Sequence, residues 1–432
     1  MQTERLEVKG FQRLLGCISQ GIVKGSFLSI MSQAVVSGSN FVGGIIVAKA
    51  CGISDFGIYS IIATTVLALQ GIQQALIIGP MMFLSEVGED NRDRFSQYFI
   101  LQVILSAPLA IGAAVAIEVF LHQWSVDQVL GIVGVVFFLQ LQEFLRMRFY
   151  IDLKAGKVLA LDITNHSLRL TLLLLLWWFE FLSVSSAFLV MAFTAGVTCF
   201  RVVRSVTLQP FRTCADIARR SFRYGRWLLL ESLAYYLSIP LYLYLSSALL
   251  SHEATGGLSA AISLLNMPNV LVQGVMNLAV PMARRKLLDE GYEAWRSQLI
   301  STGTMVIVTS ICVYVAISSV GASLLGVVYG SEFEKYGNLL PIVGVCFGFL
   351  AANTVLAAAF RIAHAPQVGA VTKLWSSVIT LSVAYPLITL WGIEGAAAGL
   401  VVTSATWVAI YIFYILRGAL GEAKALEQKF QT

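Results

Sequence analysis

Charge is scarce in this 432-residue chain: charged side chains make up 12%, apolar ones 57%, and mean hydropathy is +0.79. A soluble domain carries about twice that charged fraction. So much apolar surface needs lipid as its solvent, which excludes a soluble enzyme, a nucleic-acid-binding domain and a disordered chain. The six cysteines (Cys17, Cys51, Cys199, Cys214, Cys312, Cys346) form no CxxC and no close pair, so neither a disulfide framework nor a zinc site is indicated. No GxxxxGKS/T phosphate loop is present, and no cofactor is implied. Residues 1–25 carry Arg5, Lys9, Arg13 and Lys24, which leaves no uninterrupted signal-peptide core. Phe11, Leu14, Leu15, Ile18 and Ile22 recur there at helical spacing, fitting a helix on the inner membrane surface or a frayed tail.

What the chain has in quantity is long apolar runs. A bilayer core needs about 20 apolar residues per helix. Twelve such runs lie near 26–50, 58–82, 98–121, 128–147, 158–181, 184–203, 227–250, 256–282, 299–325, 339–360, 368–391 and 395–416. Almost all of the 29 Lys and Arg fall in the two tails and in every second connection; the opposite connections hold only Lys335. That asymmetry orients both tails into the cytoplasm. Lys49, Arg169 and Lys373 fall within spans.

The chain also repeats itself. Lys24–Leu28 aligns with Tyr224–Leu228, Asp55–Ser60 with Thr255–Ala260, and Gln70-Gly71…Pro80-Met81 with Gln273-Gly274…Pro281-Met282, all offset by about 200 residues. Ala155–Val158 matches the place of Ala365–Val368. Six spans per half is even, so the halves run the same way through the membrane about an axis along its normal. The expected fold is therefore an all-α integral membrane protein of twelve transmembrane helices in two six-helix lobes. It divides into a tail 1–25, an N-lobe 26–203, a basic linker 204–226, a C-lobe 227–416 and a C-tail 417–432. The segment Arg201–Arg226 holds seven arginines against the single acid Asp216.

Several spans carry a polar stripe that lipid cannot satisfy. Span eight shows Ser259, Ser263, Asn266, Asn269, Gln273 and Asn277 on one face, with Pro268 as an expected kink. Span one shows Ser26, Ser29, Gln33, Ser37, Asn40 and Gly44; span two Gln70, Gln73 and Gln74; span seven Glu231, Tyr235, Ser238 and Tyr242. Interhelical hydrogen bonding explains a lone Ser or Gln. Four amides on one face suit a hydrophilic lumen near the pseudo-axis, fit for hydroxyl-rich sugars. Lys49, Glu118 and Glu143 lie near span ends and can snorkel, and Glu143 with Arg146 three residues on reads as a helix-surface pair. Lys373 is also within snorkelling reach. Arg169 lies about 18 Å beyond Lys157 along its helix, near the midplane, sharing a face with Asp162, Asn165 and His166. It is either part of a structural cluster with Asp162 or a cation awaiting an anionic group, with Asp162 and His166 modulating it or relaying protons.

Three stretches carry a family resemblance: Ser32-Gln33 with Lys49–Ser60, Val328–Phe333, and Gly392–Gly399. Over roughly 20–418 the chain resembles the multidrug/oligosaccharidyl-lipid/polysaccharide (MOP) exporters, and within them the Wzx-type O-antigen and polysaccharide flippases. The resemblance implies a V-shaped, two-lobed, non-enzymatic transporter in the bacterial inner membrane. Its implied cargo is an undecaprenyl-pyrophosphate-linked oligosaccharide, moved from the cytoplasmic to the periplasmic leaflet for lipopolysaccharide or exopolysaccharide synthesis. Implied partners are that lipid, membrane lipids and other polysaccharide-assembly proteins; a proton or sodium counter-ion is left open. A cation-coupled drug antiporter and a membrane enzyme acting on lipid-linked sugar are the alternatives. The antiporter would want an acidic, aromatic cavity, and the enzyme a sizeable outer loop bearing acids.

Overall fold

A computed structural model describes residues 2–84, 91–121, 125–152, 154–203, 214–363 and 367–418, in a chain that is almost wholly helical. The helices are α1 (Gln2–Gln73), α2 (Gly79–Leu84), α3 (Asn91–Leu121), α4 (Val126–Ile151), α5 (Ala155–Trp178), α6 (Val184–Val203), α7 (Cys214–Tyr236), α8 (Leu241–Leu249), α9 (His252–Asp289), α10 (Tyr292–Tyr329), α11 (Leu339–Ile362) and α12 (Gln367–Leu416). A π turn, Gln74–Ile78, joins α1 to α2, and a 3-10 segment, Ser331–Tyr336, follows α10.

Among the described residues, eight helical stretches are long and apolar enough to cross a membrane, two of them 56 and 50 residues long. At 1.5 Å per residue those two would overshoot a 30 Å bilayer core more than twofold if straight. They fold back instead. Gly52 (φ 82°) breaks α1 and Gly392 (φ 60°) breaks α12, in a backbone region that side chains rarely tolerate. A Cβ on Gly44 would lie 3.8 Å from the Phe56 ring, and one on Gly395 would strike the Leu387 carbonyl; neither pair could meet along a straight helix. Counting two arms each for α1 and α12, α7 with α8 as one, and α3, α4, α5, α6, α9, α10 and α11, the described helices make twelve arms; the apolar stretch of α6, Val184–Phe200, is shorter than the eight, and α9 is not among them.

The twelve fall into two groups. The first span of α1, α3, α4, α5 and α6 pack together, with α4 most closely on α6. α7 to α12 form the second group, with α11 central between α10 and α12. The second span of α1 runs along the seam. Its start meets α9: a Cβ on Gly57 would collide with the His252 carbonyl, and one on Gly256 with the Ile53 carbonyl. This contact is reciprocal: Ile53 and His252, like Gly57 and Gly256, are 199 residues apart, one residue from the register that aligns Asp55–Ser60 with Thr255–Ala260. An isologous contact of this kind is what a two-fold axis through the seam produces.

Two boundaries differ from the sequence reading. Span seven, expected as one run over 227–250, is two helices separated at Leu237–Pro240, because Pro240 has no N–H to continue the ladder. The linker expected over 204–226 is helical from Cys214 onward, so α7 carries Arg219, Arg220, Arg223 and Arg226 in its first half. α9 is a single helix through Pro268. The side chains of residues 1–24, the linker 204–213 and the tail beyond Gly418 lie outside the described residues, as do the side chains of Ser26, Gln273 and Asn277.

Candidate functional site: two charged clusters and a set of exposed amides

α4 and α5 form a hairpin about Asp152–Lys154, which places Arg146 and Asp162 at matching distances from the turn. Asp162 is fully buried. Arg146 Nε lies 3.0 Å from its Oδ1, a charge contact whose N–H is not aimed at the oxygen, while Ser32 of span one donates to its Oδ2. Arg146 also binds Glu143 Oε2 at 2.6 Å. Tyr150 donates to Ser32 at 3.4 Å, and Gln74 donates to Glu143 at 3.4 Å. The Glu143–Arg146 pair expected on a helix surface is thus part of a buried network, with side-chain exposures of only 17% and 12%. Two carboxylates share one guanidinium there.

Arg169 lies one and two turns further along the same face of α5, where Asp162, Asn165, His166 and Arg169 are all buried. Its partner is not Asp162. Arg169 Nη2 donates to Asn40 Oδ1 of span one at 2.8 Å, and the Tyr59 ring lies within electrostatic reach. Arg169 Nε, His166 Nδ1 and Asn165 Oδ1 have no protein partner. A guanidinium cannot shed its charge, so this one is buried as a cation beside a neutral amide. The sequence reading left open whether Arg169 pairs with Asp162, and it placed Arg146 only in a surface pair with Glu143. The missing signal was the hairpin itself: a buried Asp162 needs a cation, and Arg146 is the residue an antiparallel α4–α5 pair brings opposite.

The second lobe holds a smaller cluster. Glu231 of α7 and Lys373 of α12 are electrostatic neighbours, and Lys373 Nζ lies over the Trp407 indole and 5.6 Å from the Tyr235 ring. Tyr235 tilts against Trp407 at 6.0 Å. Tyr242, from the same α7–α8 stripe, lies in the lobe interior, wholly buried, with its hydroxyl 3.2 Å from Thr403 Oγ1.

Gln33 and Asn40 of span one and Asn266 of span eight are exposed, and Asn269 donates to Asn266 at 3.3 Å. Of the span-two amides, Gln70 is half-buried, while Gln73 is fully buried, donating to Gln102 Oε1 at 2.9 Å and to the Gln140 carbonyl at 2.6 Å. That is ordinary interhelical hydrogen bonding. Ser259 is buried, and Ser263 lies near the Tyr329 hydroxyl within the second lobe. Among the described residues no group of three His, Cys, Asp or Glu could hold a metal ion.

Comparison with known proteins gives this geometry a family. No curated protein matches the chain. Among solved structures it is similar to an inward-facing multidrug resistance MATE family transporter of the MOP superfamily (TM-score 0.75, 12% identity, covering 90% of this chain and 96% of the other). It is also similar to a MOP superfamily transporter from Pyrococcus furiosus Vc1, described as having a binding pocket of reverse polarity (TM-score 0.65, 14% identity, covering 93% and 96%). An outward-facing MATE transporter matches at TM-score 0.63 and 14% identity, covering 93% and 96%. These likenesses establish the multi-pass MOP transporter fold. A family model described as polysaccharide biosynthesis protein matches residues 22–286, more than half of the chain, so the chain belongs to that family.

Proposed function

We propose that this protein is a flippase for an undecaprenyl-pyrophosphate-linked oligosaccharide, carrying it from the cytoplasmic to the periplasmic leaflet of the bacterial inner membrane for surface polysaccharide assembly. The observation that carries this reading is Arg169: a buried guanidinium with only a neutral amide beside it and one N–H free of any protein partner. A diphosphate supplies the missing negative charge. In this reading the amides Gln33, Asn40, Asn266 and Asn269, with Gln70, Gln74, Gln273 and Asn277, line a hydrated cleft and offer hydrogen bonds to sugar hydroxyls. Tyr235 offers a ring face. Family membership supports the polysaccharide setting, and the basic tails and connections support cytoplasmic termini.

The physical task fits such a cleft. Each polar group carried into hydrocarbon without a partner costs about 2–7 kcal/mol. A glycan head group with many hydroxyls therefore crosses only along a polar path, while its lipid tail stays in the bilayer between the parted lobes.

The test is a deletion in a strain with no second flippase. Lipid-linked oligosaccharide should accumulate on the cytoplasmic leaflet and the surface glycan should vanish. An intact surface glycan with altered drug sensitivity would replace this reading with a drug antiporter. Accumulation of an unpolymerised or unmodified glycan already outside would point to an enzyme.

A further inference from the structure

The end of the bundle away from the Arg201–Arg226 segment joins the lobes in a particular way. Gly52 ends one helical run of α1, and the next begins at Ile53. The first N–H groups of a helix have no internal partner and form its positive pole. Ile53 N–H donates to Glu332 Oε2 at 3.4 Å, a carboxylate from the other lobe. The converse contact lies one turn away. α10 ends at Tyr329, so its last carbonyls form a negative pole, and Lys49 Nζ donates to the Val327 carbonyl at 3.1 Å. Each lobe thus supplies the charge that a helix end of the other lacks.

Glu332 is presented from a rigid seat. Phe333 beside it is 1% exposed, Lys335 pairs with Glu253 of α9, and the Tyr336 ring packs where Gly257 has no side chain. The hydrogen bond to Glu253 raises the Lys335 pKa, so this anchor stays charged at neutral pH. Beneath the caps, Phe56 packs against Tyr329 at 5.7 Å and Phe333 at 5.9 Å. At Gly52 a Cβ would stand 3.6 Å from Glu332 Oε2.

We infer that Lys49 and Glu332 form a reversible latch that closes the lobes at this end and must open for the cleft to face the other side of the membrane. Helix-end caps suit a latch better than a mutual ion pair. When they part, each charge and each helix end returns to water, whereas a buried ion pair would leave unpaired charges. The inference rests on the two-lobed transporter fold and on no particular cargo.

Hydrogen exchange by mass spectrometry tests it, on the full chain in lipid nanodiscs without substrate. Lys49→Met, Glu332→Gln and their double variant should raise exchange of peptides over 49–60 and 252–258 by about threefold or more, a sign of local opening. Peptides from α4 and α11 should exchange as in the native chain, as should every peptide of the surface control Glu394→Gln. Lys49→Arg should keep most of the protection. Unchanged exchange at 49–60 in a folded double variant overturns the latch. Faster exchange throughout the chain also overturns it, because the residues would then be general stabilisers. Neither result bears on the cargo, which only a flipping assay reads.

Discussion

Arg169 and Arg146 lie on facing helices of one lobe and differ in their neighbours. Arg146 holds Glu143 and Asp162; Arg169 holds Asn40. Replacing Arg146 with Ala leaves two carboxylates buried together without their cation, a loss of about 3–5 kcal/mol. The melting temperature in detergent should fall, and the triple change Glu143→Gln, Arg146→Met, Asp162→Asn should restore most of it. Replacing Arg169 removes a charge with no acid to orphan. Arg169→Ala should therefore cut flipping per folded molecule by at least about tenfold, near 1.4 kcal/mol or more in barrier, with little change in melting temperature. Arg169→Lys should keep part of the rate, since a point charge remains but the fork is lost. Adding Asp162→Ala should not rescue Arg169→Ala, because Asp162 belongs to Arg146. Rescue in that double variant would show that the two residues act as one structural pair.

At the scale of helices, what the sequence reveals depends on whether a feature is local. The twelve apolar runs, the even count and the offset near 200 residues come from the chain order alone, and the reciprocal Gly57/His252 and Gly256/Ile53 contact falls within one residue of that register. The polar stripe of span five was visible because its residues share one helix face. Its partners were not: Ser32, Asn40 and Arg146 come from other helices. The Lys49 and Glu332 contacts were further out of reach, because both end on backbone atoms and leave no side-chain pattern. Pro240 was in plain view, yet the apolar run around it hid the break in span seven. The glycines give an element-scale prediction. Gly392 holds φ 60° at the α12 reversal, so Gly392→Ala should destabilise by about 1–2 kcal/mol, read as a lower melting temperature. Gly38, in the same membrane, has open space about its Cβ position, and Gly38→Ala should leave the melting temperature unchanged or slightly higher.

For the whole molecule the decisive quantity is charge carried across the membrane. In the first lobe Arg146 stands between Glu143 and Asp162 while Arg169 stands apart beside Asn40, so these four groups sum to zero, and in the second lobe Lys373 and Glu231 are electrostatic neighbours of opposite charge. Neither lobe brings a large net charge to the cleft, so the charge displaced in a transport cycle is mainly that of the cargo. A diphosphate-linked lipid moves about two negative charges outward, downhill by about 4.6 kcal/mol per 100 mV of inside-negative potential. In proteoliposomes loaded with such a lipid, a potassium diffusion potential of the inward-negative sign should speed export, and the reverse potential should slow it. The same experiment with Arg169→Ala should show a low rate at every potential. A rate that ignores the potential but follows an imposed pH or sodium gradient would mean that a counter-ion crosses with the cargo and cancels its charge. The carboxylates Asp162 and Glu231 would then be the first places to look for where that ion binds.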